Sequence, residues 1–103
     1  MVDLNPTRGH EQAGLRPVVI VSVDEFNSGP ASLVIVLPIT ATDRKIPLHV
    51  PVDSPEGGLD RRSFILPDQI RSVSKERLVR RRGRVEPATM EAVEQGLRLV
   101  QGL

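Results

Sequence analysis

The sequence predicts a mainly β domain with a C-terminal helix, a small and strongly bent antiparallel barrel in the β-rich α+β class. Two patterns carry that prediction. Short β-branched runs bounded by turn residues fill the first three quarters of the chain, and a helical period takes over after Pro87. A third observation sets the scale: 103 residues and 11.3 kDa fit one domain, residues 1–103.

Pro17–Val23 and Leu33–Ile39 are β-branched and short, and read as buried strands. Asp24–Ser32 lies between them, with Asn27-Ser28-Gly29-Pro30 as a turn signal. Pro47–Val52 alternates in polarity and carries two prolines, which places it at a sheet edge. Ser54–Gly58 reads as a loop, Ser63–Leu66 as a buried strand, Gln69–Val73 as an alternating one, and Leu78–Val85 as a further polar-faced strand. From Pro87, a favoured first helical position, Met90, Val93, Leu97, Val100 and Leu103 recur on one helical face that would plug the β-domain.

Composition excludes several functions. There is no cysteine, hence no disulfide scaffold, thiol nucleophile or thiolate metal site. The two histidines and scattered carboxylates show no metal-ligand spacing, so no metal or other cofactor is expected. With Phe26 and Phe64 as its only aromatic residues, the chain cannot grip nucleic acid by stacking base after base. No apolar run approaches the roughly 18 residues of a membrane span, and the start lacks a signal-peptide pattern. A soluble cytoplasmic domain is the expectation.

Charge is uneven. Residues 1–53 hold four cations against six carboxylates, residues 54–103 ten against seven, and 71–84 seven against one. Twelve of the fourteen cations are Arg, the side chain suited to bidentate phosphate contact, so an anionic partner is indicated. A solvated hairpin with a basic edge that blocks strand pairing would produce the same run. Asp3–Pro17 is more specific: a long, polar, glycine-punctuated loop gathers an imidazole, a carboxylate, an amide and two guanidiniums immediately before the first buried strand.

The block Val2–Ser22, with its Gly9-His10-Glu11-Gln12 and Gly14-Leu15-Arg16-Pro17, resembles the opening signature of the MazF/PemK (Kid) toxin family. The similarity continues at Val36-Leu37-Pro38-Ile39-Thr40, at Pro67–Val73 and in the helix after Pro87, in the family's order along the chain. It implies an SH3-like or CcdB-like barrel that assembles as a homodimer and cuts single-stranded RNA without a metal. It also implies a cognate, MazE-like antitoxin whose disordered C-terminal segment wraps the dimer and blocks the RNA groove. Family members carry about ten further residues before this block, so by resemblance the first half of strand one is missing here.

The resemblance also assigns residues. Arg16 matches the catalytic arginine; an ordinary guanidinium is a poor base, so charge stabilisation in the transition state is its expected role. Thr40 matches a hydroxyl partner able to hold a phosphoryl oxygen. His10 has the ring suited to proton transfer near neutral pH. Asp68 matches an acidic position proposed as a base or orienting group in relatives. There an Arg two residues earlier assists; Leu66 stands in that place here, which favours Arg16 with Thr40. Arg8, Glu11, Gln12, Gln69 and Arg71 are expected to contact RNA, and His49 reads as structural. Base selection would fall to the loops Asp24–Ser32, Ala41–Pro47 and Asp53–Arg62. Two alternatives use the same fold without cleavage: a gyrase poison of the CcdB type, and an RNA- or partner-binding module that has lost activity.

Overall fold

The computed structural model describes the backbone of residues 2–4 and all of residues 16–103. Seven strands form one antiparallel sheet: β1 (Val2–Leu4), β2 (Arg16–Ile20), β3 (Leu33–Thr40), β4 (Val50–Val52), β5 (Ser63–Ile65), β6 (Arg71–Ser74) and β7 (Leu78–Arg81). A single turn of helix, α1 (Asp24–Asn27), follows β2, and α2 (Pro87–Gln101) ends the fold. The hydrogen-bonded order is β4-β5-β3-β2-β1-β7, with β6 also on β3.

The β-branched runs became the two central strands, as their composition requires. β2 pairs with β3 through Val18↔Pro38, Val19↔Leu37 and Ile20↔Val36. β3 divides its other edge, giving Leu33–Val36 to β6 and Ile39–Thr40 to β5. Pro38 has no N–H to offer, and its carbonyl instead accepts the Leu66 N–H at 3.1 Å. β4 is the expected edge strand, and Pro51 sits exposed within it.

Alternation along β2 and β3 gives the sheet two different faces. Val19, Leu37, Ile39, Val50, Val52, Leu59, Ile65 and Val85 form the principal core, which Val93 of α2 enters with no exposed surface and Met90 and Leu97 flank. The opposite face carries a smaller cluster of Val18, Val34, Val36 and Val73, with Ile20 and Leu78 against it.

Four expectations change. The sheet curls but does not close into a barrel, since β4 and β7 are not paired among the described residues. Val2–Leu4, whose Asp3 and Leu4 the sequence places in a loop, forms a strand between β2 and β7, in register Val2↔Val18 and Val2↔Arg81. Pro67–Gln69 is a 3-10 turn, so the strand expected from Gln69 begins at Arg71. Lastly, the apolar stripe of α2 outlasts its burial: Val100 is 43% and Leu103 84% exposed, and Gly102 ends the helix in the left-handed region at φ 74°.

Candidate active site

Arg16 opens β2 and Thr40 closes β3. The β2–β3 register, continued two residues beyond Val18↔Pro38, sets them opposite one another at the same end of the sheet. Alternation puts both on the face of the smaller cluster, in step with Val18 and Pro38. On the far side of β3, Arg71 pairs with Val36 and shares that face with Val73. The strands therefore bring a guanidinium, a hydroxyl and a second guanidinium to the polar rim of an apolar patch.

A cavity of about 170 Å³ lies at this rim, lined by Arg16, Thr40, Arg44, Gln69 and Arg71 together with the apolar Pro17, Val18, Pro38, Ile39 and Leu66. No described carboxylate takes part. Three guanidiniums, an amide and a hydroxyl thus belong to the lining of one space, which is the chemistry of an anion site. The same groups make poor ligands for a cation, and no cluster of three or more potential metal ligands occurs among the described residues. The Thr40 hydroxyl oxygen accepts the Thr42 N–H at 3.1 Å, leaving its O–H to donate elsewhere.

Of the residues expected at the site, Arg16, Thr40, Gln69 and Arg71 thus come together. Asp68 does not line the cavity; its Oδ1 lies 3.1 Å from Nε2 of His49. Arg8, His10, Glu11 and Gln12 lie outside the described residues. Arg44 was missed: it sits exposed in the loop after β3, where no strand or helix period reports which way a side chain faces. Its only sequence signal was membership of the loop Ala41–Pro47. Arg44 is held beside a tight turn in which the Asp43 carboxylate accepts the Lys45 N–H at 2.9 Å and lies 3.6 Å from the Lys45 ammonium. That N–H foremost, with the ammonium's charge, holds the Asp43 carboxyl below its ordinary value.

A second hollow of about 180 Å³ adjoins the first and shares Thr40, Pro17 and Ile39 with it; Asp60, Arg61, Ser63 and Arg82 form its other wall. Arg82 also donates to the Gly58 carbonyl at 2.9 Å, pinning the loop after β4 to the chain after β7.

A mainly antiparallel domain with a helix behind the sheet and a cationic, hydroxyl-bearing rim in front is a small β protein with a candidate anion site. Across residues 1–101 the chain matches the PemK-like, MazF-like toxins of type II toxin–antitoxin systems, and it belongs to that family. It is 34% identical over 98 residues to Endoribonuclease EndoA of Bacillus subtilis, a match spanning 94% of this chain and 84% of EndoA. MazF (Form-I) from Deinococcus radiodurans superposes with a TM-score of 0.79 at 27% identity, over 99% of this chain and 92% of that one. For the Mycobacterium tuberculosis toxin MazF-mt6 the TM-score is 0.76 at 27% identity, over 86% and 88%.

Proposed function

We propose that this chain is the toxin of a toxin–antitoxin module and acts as a metal-independent endoribonuclease on single-stranded RNA. The observation that carries this reading is that Arg16, Thr40, Arg44, Gln69 and Arg71 line one cavity with no carboxylate among its described residues. The family membership and the likeness to EndoA support it.

In the proposed reaction the ribose 2′-oxygen attacks the adjacent phosphorus as its proton leaves, and the bond to the 5′-oxygen breaks. That oxygen takes up a proton, giving a 2′,3′-cyclic phosphate and a 5′-hydroxyl with no water consumed. Charge gathers on the non-bridging oxygens. Arg16 and the Thr40 O–H stabilise it there, because donors fixed in place before reaction cost no reorganisation during it. His10 is the proposed proton carrier, and Asp68 an orienting group. Arg44, Gln69 and Arg71 hold the flanking strand, with Arg8, Glu11 and Gln12 contributing from the sequence before β2. The proposal includes a homodimer, and a cognate antitoxin that silences the site through a disordered C-terminal segment. No described helix is long and apolar enough to cross a membrane, and a toxin acting on cellular RNA would work in the cytoplasm.

The test is incubation of the purified chain and Arg16→Ala with a long single-stranded RNA in EDTA. Cuts at discrete sites, each leaving a cyclic phosphate and each lost in the variant, are expected. Binding without cutting by a folded wild-type chain would replace the nuclease with a binding module.

A further inference from the structure

We propose that His49 is a positioning residue for the RNA-binding edge of the site, acting through Asp68 on Gln69 and Arg71. The inference rests on the reading that the cavity holds RNA.

The His49 side chain is 2% exposed, beneath the groove between β4 and α2 and outside the cationic cavity. Against a carboxylate oxygen its Nε2 is the donor, at 3.1 Å from Asp68 Oδ1. Nδ1 is then left buried with no hydrogen-bond partner among the described residues. An aliphatic side chain would fill the same space without stranding a polar atom. What the imidazole adds, therefore, is the donor to Asp68.

Asp68 is the central residue of the 3-10 turn Pro67–Gln69, which is held at three points. Leu66 N–H binds the Pro38 carbonyl of β3 at 3.1 Å. Pro67 is buried against α2 so closely that a Cβ on Gly96 would lie 2.9 Å from its Cγ. His49 holds the third point. The next residue, Gln69, lines the cavity, and Arg71 follows at the head of β6. In a turn this short, rotation at Asp68 is passed directly to Gln69. The bond on the helix side of the turn thus sets the direction of donors on the RNA side, and Asp68 serves as an anchor rather than a proton carrier.

The experiment compares wild type, His49→Leu, His49→Gln, Asp68→Ala and the His49→Leu/Asp68→Ala double variant. Three readouts are taken: kcat and KM on single-stranded RNA, thermal stability, and amide hydrogen exchange at residues 69–71. Leu removes the donor; Gln keeps an N–H near the Nε2 position. His49→Leu should raise KM about tenfold, the scale of one lost hydrogen bond to a charged group, with kcat little changed and exchange at 69–71 faster. Gln should recover KM and exchange, Asp68→Ala should match His49→Leu, and the double variant should be no worse than either single one. Loss of kcat on Asp68→Ala far beyond that of His49→Leu would make Asp68 a proton carrier and overturn the proposal. So would Leu and Gln variants that fall together in step with stability. If the wild type cuts no RNA, the nuclease reading fails by itself; hydrogen exchange then decides whether His49 governs residues 69–71, and unchanged exchange in His49→Leu overturns the proposal.

Discussion

Thr40 is the residue whose geometry is most specific. Its oxygen already accepts from Thr42, so in the proposed reaction its O–H is the group offered to a phosphoryl oxygen. Thr40→Val keeps the shape and removes the O–H. By analogy with loss of a single oxyanion donor, kcat should fall about 10²-fold with KM little changed, as single-turnover cleavage would measure. Arg44 lines the same cavity. Arg44→Ala should weaken RNA binding and lower the slope of log affinity against log salt by about 0.7, the increment for one phosphate contact on a single strand; a salt titration of binding reads it. Asp43 governs the turn next to Arg44. Its folded-state pKa is depressed, so the turn is stabilised above the ordinary value of 3.8 and loses that support as pH falls through the lower, folded value. The Lys45 amide resonance should accordingly titrate with a midpoint below 3.8, and Asp43→Asn should abolish the transition. At this scale the sequence was only partly legible. Arg16 and Thr40 announce themselves through motif and strand ends, whereas the His49–Asp68 bond spans 19 residues and belongs to no local pattern.

Among the elements, legibility follows the density of local information. β2 and β3 are readable because β-branched runs specify strand with little help from neighbours. β1 is not: Val-Asp-Leu has no strand pattern of its own and takes its conformation from ladders on both sides. The last turn of α2 errs in the other direction, since its apolar period continues where no opposing surface remains. The contact between α2 and the 67–69 turn depends on the absence of a side chain at Gly96. Alanine is the better helix former there by about 1 kcal/mol, yet its Cβ would meet the stiff Pro67 ring at 2.9 Å. Strain should outweigh propensity, and Gly96→Ala should lose about 1–2 kcal/mol by urea denaturation. Val93→Ala, which empties the fully buried centre of the same helix, should lose about 2–3 kcal/mol.

At the scale of the whole molecule, the described residues form two apolar clusters with one pair of strands running through both, Val18 and Val36 on one side and Val19 and Leu37 on the other. Neither face can separate without breaking the other's backbone ladder. Val36→Ala and Val93→Ala should therefore lower a single shared transition, with fluorescent dye binding and far-ultraviolet dichroism changing together. Global architecture was legible as β strands followed by a helix; the failure of the sheet to close was not, because it depends on which edges meet. The two-sided sheet also bears on how such a chain can change over generations. Substitutions alter one face at a time, but the deletion or insertion of a single residue within β2 would exchange the two faces for every position beyond it. Val18 would be carried toward the helix-covered interior as Val19 was brought to the rim face. A library of single-residue indels scored for folding should thus show a sharp gap across 16–20 and 33–40, while the exposed stretch 41–47 accepts length changes. The parity of residue count in two short strands is a form of inheritance in this fold, preserved even where the side chains themselves are free to drift.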